Sequence, residues 1–266
     1  MTATLATAAT RQPIEPTATP VNRTILLMIG HLRRACVFPT SVYAVVNRCR
    51  QTMAPCELII VTWNTTNGAR SRGIPGLISE QPGIHESSAA CLRTLSQQLR
   101  PLDVLVREAE SDPLAKPSAE LWPGSNIAFR TYQLNLLGIL LGLEMAQRHG
   151  PFGTVLRFRP DVGATGLGAA GLYSCKWDQA HWHSIARAAR AFRTVFRCGT
   201  FRAHKPYSAV VNGDNCFGGA LGTVLQLVRY WYNGMREASR DPRLSGHPEL
   251  GMDWAARALD ITFVPR

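Results

Sequence analysis

The sequence predicts an α/β fold: a mostly parallel central sheet with flanking helices, Rossmann-like and in a single domain. Three observations lead to this class. A short apolar run over residues 24–29 is followed by a helical pattern and by a second apolar run over residues 57–62. A helix rich in leucine is predicted for residues 125–149, and another β-like run begins at Thr154. Strands that alternate with helices in this way normally pair in parallel.

The length of the chain indicates a large core, and its charge indicates which kinds of molecule it could bind. With 266 residues the chain can bury a large core, and its formal net charge of +11 comes mostly from arginine. Such a charge favours anionic partners, namely nucleic acid, a nucleotide-linked substrate or an acidic membrane surface. The basic residues are spread along the chain and form no single tract, which makes nucleic acid the less expected partner.

The seven cysteines are odd in number and show no C-x-x-C spacing, so a complete disulfide framework and a local zinc site are not expected. We expect most of them to be small buried thiols in a reducing compartment. No apolar run approaches the roughly 20 residues of a membrane span. The prediction is a soluble, cytoplasmic protein without a transmembrane segment, with organelle transit as the alternative.

The first half of the chain is predicted in this order. Residues 1–22, rich in Thr, Ala and Pro, should be a disordered leader, and residues 23–266 should form the domain. The strand over residues 24–29 runs into Gly30, His31 and Arg33, a turn that suits a nucleotide phosphate, although an ordinary helix start after the turn is the simpler explanation. A helix over residues 40–51, a strand over 57–62 that ends at Trp63, a surface loop over 64–90 and a buried strand over 103–107 follow.

The middle of the chain holds the segment around which the functional prediction is built. The helix over residues 125–149 carries Asn126, Arg130 and Gln133 in its first turns, where they point to a ligand or to solvent. The strand that begins at Thr154 ends at the sequence Arg157-Phe158-Arg159-Pro160-Asp161. The carboxyl edge of a parallel sheet is where ligands bind, so Asp161 flanked by arginines is a candidate for a charged substrate; a solvated ion pair is the alternative.

The last third is predicted to contain a basic helix over residues 184–196, a helix over 221–231, a helix through Leu259 and a strand over 261–264. His181 and His183 alternate like strand neighbours and are weak candidates for a metal. The sequence Asn212-Gly213-Asp214 is typical of a turn.

Four segments resemble nucleotide-sugar glycosyltransferases of the GT-A type, in particular polysaccharide- and lipopolysaccharide-synthesis-like proteins of bacteria, algae and large viruses. The matching segments are Ile25–Arg33 with its Gly-x-x-Arg turn, residues 58–64 with a strand that ends in Thr62-Trp63, the helix containing Gln133 followed by residues 156–161, and residues 212–218 with a later Pro248-Glu249. Together they span residues 24–264 in the family's order.

The resemblance implies a glycosyltransferase for polysaccharide biosynthesis that uses a nucleotide-diphospho-sugar donor and a glycan or other hydroxyl acceptor. The residues it implies on the donor side are Gly30, His31, Arg33, Thr62, Trp63, Gln133 and Arg157. Asp161 takes the place of the last acid of the family's metal-binding Asp-x-Asp motif, whereas the first acid is Arg159 here. Either Mn²⁺ or Mg²⁺ is held by Asp161 with help from Asp214 or His247, or the Arg159 guanidinium replaces the metal.

For the chemistry, Asp161 and Arg159 are expected to stabilise the leaving diphosphate, and Asp214 or Glu249 to act as the base if transfer inverts. If transfer retains configuration, no dedicated base is needed. Two other functions stay open: a degenerate transferase fold without catalysis, because of Arg159, and a basic module that binds nucleic acid or another anionic polymer, with Trp177 and Trp182 for stacking.

Overall fold

A computed structural model arranges the chain in three layers, with one sheet between two layers of helices. It describes residues 23–30, 32, 35, 39–53, 55–64, 89–108, 112, 120–125, 129–160, 179–204, 207–245 and 248–264. The strands are β1 Thr24–Ile29, β2 Cys56–Asn64, β3 Asp103–Glu108, β4 Thr154–Phe158, β5 Thr194–His204, β6 Tyr207–Ala220 and β7 Thr262–Val264. The helices are α1 Pro39–Thr52, α2 Ala89–Leu99, α3 Phe129–Arg148, α4 Gln179–Arg190, α5 Leu221–Asn233, α6 Met235–Ala238 and α7 Gly251–Ala258.

The described strands form one sheet of seven in the order β3-β2-β1-β4-β6-β5-β7. Only β6 among them runs against its neighbours, because it pairs antiparallel with both β4 and β5. The predicted fold class, α/β with a mostly parallel sheet and flanking helices, is therefore confirmed. All six residues of β1 are buried, as expected for a strand that has helices on both faces.

Alternation along the strands divides the core in two. Ile25, Leu27 and Ile29 of β1 belong to the core cluster that α3, α5 and α7 cover. Leu26 and Met28 belong to the second cluster, which α1, α2 and α4 cover. Helices α1 and α2 cover one face as the chain passes from β1 to β3, and α3 then returns it across the other face to β4. The reversal places a topological switch point between β1 and β4, where ligands bind in open α/β sheets.

Several sequence predictions of elements are wrong in detail. His181 and His183 lie in helix α4 and not in a strand, and the predicted basic helix over residues 184–196 ends at Arg190. The Asn212-Gly213-Asp214 segment lies within strand β6 and does not end it in a turn, although the pairing of β6 with β5 shifts register here, between Val211 and Cys216.

Two further differences concern the end of the sheet that is formed by β3. Strand β3 is the sheet's edge strand, so Val106 is 37% exposed instead of buried. Helix α2 was not predicted, because only Leu95 and Leu99 among its residues are buried and its apolar period is weak. None of the described helices is long and apolar enough to cross a membrane.

The expectation of reduced cysteines is also wrong. Cys49 and Cys56 form a disulfide between the end of α1 and the start of β2, and Cys91 and Cys198 are disulfide-bonded as well. Cys216 is the free cysteine of the described part of the chain. Because disulfides persist in oxidising environments, the cysteines give the cytoplasmic prediction no support.

We expect the Cys49→Ala/Cys56→Ala variant to be less stable than the wild type by about 2–3 kcal/mol, because the bond closes a short loop that the unfolded chain otherwise leaves open. The free energy of unfolding from urea titrations checks this value. The difference between the two proteins should narrow when both are measured with a thiol reductant. A difference that stays the same after reduction would mean that lost packing, not the bond, causes it.

Candidate functional site

The candidate site is the carboxyl edge of the parallel strands at the switch point. Gly30 follows β1 and donates its backbone N–H to the Val61 carbonyl at 3.1 Å. Its φ of +136° is a conformation that residues with a Cβ rarely adopt, and a Cβ placed there would lie 3.4 Å from Pro160 Cδ. Gly30 and Pro160 are thus in direct proximity, so two motif segments far apart in sequence meet at this edge.

Arg157 lies directly beneath the edge, near the end of β4. It has no exposed surface, and one of its terminal nitrogens (Nη2) donates to Asn135 Oδ1 at 3.1 Å. Its Cζ lies 5.9 Å from the centre of the Phe217 ring on β6. A buried guanidinium is costly unless it is hydrogen-bonded, so this side chain ties β4 to α3 and β6. Binding of a donor by Arg157 stays a prediction.

Asn135 is a residue that the sequence reading missed. It lies on α3 four residues before Ile139 and eight before Leu143, both of which are fully buried. A polar side chain on an otherwise buried helical stripe needs a buried hydrogen-bond partner. The position of Asn135 among apolar residues could therefore have indicated its role. Gln133 is half-buried in the second turn of the same helix, as predicted for its position.

Thr62 and Trp63 end strand β2 at the same edge, but both are buried, with exposed fractions of 1% and 2%. The Trp63 indole packs so closely on α3 that a Cβ at Gly138 would lie 2.3 Å from its Cη2 atom. The Thr62 hydroxyl is buried without a hydrogen-bond partner among the described residues. Both side chains therefore form the floor beneath the edge.

Strand β6 brings a third motif segment to this edge. Cys216 is the partner of Phe158 in the last described pair of β4 and β6, and Asp214 lies two residues earlier in β6, where the pairing with β5 shifts register. The 3-10 turn Pro248–Leu250, which contains Glu249, packs against β6. The two predicted base candidates therefore lie on elements that contact each other.

Arg159 is half-buried and directly follows β4, between Phe158 and Pro160. The remaining predicted site residues, His31, Arg33, Asp161 and His247, lie outside the described residues, as does Asn126. Asp161 is the next residue after Pro160 in the sequence.

Cys216 is chemically inert in this setting. Burial raises the pKa of its thiol far above the ordinary value, and the nearby Arg157 guanidinium offsets only part of that rise. The thiol is therefore protonated at neutral pH. A cysteine nucleophile at this position is not supported.

The donor set at this edge does not match a two-carboxylate metal site. The position of the first acid is occupied by Arg159, whose guanidinium only donates. In the part of the chain that the structure describes, no group of three or more His, Cys, Asp and Glu residues is placed to hold a metal ion.

Comparison with known proteins adds no identification at this point. No family model matches the chain. No curated protein matches it in sequence.

Proposed function

We propose that this chain is a glycosyltransferase of the GT-A type that transfers a sugar from a nucleotide-diphospho-sugar to a hydroxyl acceptor. One observation carries the proposal: Gly30 and Pro160 meet at the switch point between β1 and β4, with β6 alongside. The four sequence segments that resemble this enzyme class lie on the strands and turns that converge here. A crevice at this position is where α/β sheets bind nucleotides.

The chemistry follows from the residue types at the edge. Departure of a nucleoside diphosphate leaves negative charge that needs a fixed positive partner, and Arg159 supplies a guanidinium at the end of β4. Asp161, one residue beyond Pro160, is the acid proposed to act with it. Asp214 and Glu249 are the candidates to accept the proton of the acceptor hydroxyl if the reaction inverts configuration.

The buried residues beneath the edge have a positioning role in this proposal. Arg157 holds β4 against Asn135 of α3, and Gly30 allows the turn after β1 to lie close to Pro160. Both contacts fix the distance between the two segments that would hold the donor. A rigid support of this kind is what a precisely oriented transfer requires.

Donor binding is tested first with the wild-type protein. Nucleoside diphosphates and nucleotide sugars are screened by thermal shift, with Mn²⁺ and with EDTA, because a ligand of the native state raises the midpoint. A selective shift by one nucleotide sugar supports the proposal. If none of them shifts the midpoint or is turned over, the proposal is wrong.

We expect Asp161→Asn to abolish transfer while the protein stays folded. Loss of the carboxylate removes a negative charge from the proposed centre but keeps the side chain's size. Turnover of the donor that passes the screen is the measurement, and an unchanged melting midpoint shows that the fold is retained. If Asp161→Asn turns the donor over at the rate of the wild type, Asp161 does not belong to the site. If the wild type itself binds the donor but does not transfer the sugar, the chain is a non-catalytic transferase fold.

A further inference from the structure

The edge of the sheet opposite the candidate site collects the ends of five helices. Helices α1, α2, α3, α4 and α7 each precede a strand that runs in the direction of β1. Each of these helices therefore ends at the amino edge of those strands. Cations are favoured in the last turn of a helix, and this winding gathers them on one side of the molecule.

Seven exposed arginines lie at these helix ends or in the loops that follow, and we call them the basic face. Its members are Arg48, Arg100, Arg148, Arg187, Arg190, Arg193 and Arg257. They extend from the loop before β3 at one end of the sheet to the helix before β7 at the other. With six strand spacings of about 4.8 Å, the basic face is about 29 Å wide.

The acids described at this edge do not neutralise the basic face. Glu57 forms an ion pair with Arg23, and Asp103 is hydrogen-bonded to His149, so each already has a partner outside the basic face. Asp260 lies 3.8 Å from Arg193 and its side chain is 94% exposed. The described part of this edge therefore keeps a large positive excess.

An apolar side chain projects from the same face. Phe192 precedes β5 and is 83% exposed, with the guanidinium carbon of Arg193 5.2 Å from its ring centre. Leu102, before β3, is 38% exposed. Single exposed apolar residues are common, but an exposed aromatic ring beside Arg193, on a face with six other arginines, is a combination suited to the interface of an anionic bilayer.

We propose that the basic face docks on an anionic membrane surface, with the arginines on lipid headgroups and Phe192 inserted between them. The width of the face suits a planar partner. A nucleic-acid strand would favour a row of aromatic rings along its path, whereas Phe192 is the aromatic that the described part of this face exposes. None of these residues belongs to the candidate site, which opens at the other edge, so the inference stands without the proposed function.

Vesicle sedimentation tests the inference with the full chain. The protein is expected to bind vesicles of 70% phosphatidylcholine and 30% phosphatidylserine and to dissociate from them as the salt concentration rises. It is not expected to bind vesicles of pure phosphatidylcholine. Each arginine contributes about fivefold to binding, so Arg187→Glu/Arg190→Glu should weaken it by at least about 25-fold. Phe192→Ala should weaken it about tenfold, through lost apolar burial.

The matched control is Arg93→Glu/Arg240→Glu, which changes the net charge equally at two exposed arginines outside the basic face. This control is expected to bind vesicles about as well as the wild type, and circular dichroism checks that every variant is folded. Equal loss in both double variants would mean that only net charge matters and would overturn the docking surface. So would the absence of vesicle binding, or binding to a single-stranded oligonucleotide or heparin that depends on Arg187 and Arg190 but not on Phe192.

Discussion

Replacing Gly218 by alanine is expected to lower the free energy of unfolding by about 3 kcal/mol or more. Gly218 pairs with Leu156 across β4 and β6, and a Cβ at this position would lie 2.5 Å from the Val155 carbonyl oxygen and 3.2 Å from Leu156 Cα. Backbone atoms in the centre of a sheet cannot move aside cheaply. The strands would have to separate, which would also disturb the segment of β6 that carries Asp214.

Gly222→Ala is the matched control for this change. Gly222 lies in the first turn of α5, and a Cβ there would meet no atom within 4 Å. Alanine in a helix is more favourable than glycine, so this variant should gain up to about 1 kcal/mol. The urea unfolding midpoints of the wild type, Gly218→Ala and Gly222→Ala test both expectations. A Gly218→Ala protein as stable as Gly222→Ala would contradict the close approach of β4 and β6.

The glycines of this segment show what the sequence could and could not predict. Gly219, the next residue, approaches the other neighbour: its Cβ would lie 2.8 Å from the Thr194 carbonyl of β5. Two glycines in succession let β6 fit between β4 and β5. Read alone, the segment resembles a turn, because turns and close strand contacts select the same residue.

Elements whose pattern is local were predicted well. Strand β1 was predicted with its observed bounds because its residues are apolar on both faces, and α3 because its buried stripe repeats over many turns. Strand β6 depends on partners that are distant in sequence, and the disulfide of Cys49 depends on which cysteine the fold brings near. Neither the strand pairing nor the disulfide leaves a period in the chain, although Cys49 and Cys56 are only seven residues apart.

The candidate site also combines features that the sequence predicts with features that it does not. The meeting of Gly30 and Pro160 follows from the parallel direction of β1 and β4, which the sequence predicts, and from their adjacency in the sheet, which it does not. The position of Asp214 follows from the antiparallel strand β6, which the sequence does not predict. Burial of Arg157 depends on Asn135 and Phe217, which belong to two other elements.

Arg159→Ala is expected to lower kcat for sugar transfer by about 10²–10³-fold, with a much smaller change in donor affinity. In the proposed mechanism the guanidinium acts on charge that develops as the diphosphate leaves, so its loss raises the barrier more than it weakens the ground state. Arg159→Lys should recover part of the rate, because an ammonium keeps the charge but not the two-pronged contact. Arg229→Ala, on the exposed surface of α5, is the control and should leave kcat unchanged.

Substitutions of Arg159 also distinguish two explanations for the missing first acid. Either the guanidinium replaces a metal ion, or the chain has lost part of a metal site. If the guanidinium does the work of a cation, wild-type transfer proceeds in EDTA, and Arg159→Asp is inactive in EDTA because it removes that cation. If instead the chain has lost half of a metal site, the wild type is inactive under all conditions, and Arg159→Asp gains transfer in Mn²⁺ by restoring an Asp-x-Asp sequence with Asp161. We expect the first pattern. It rests on the charge of Arg159 at the end of β4, one residue before the contact of Pro160 with Gly30.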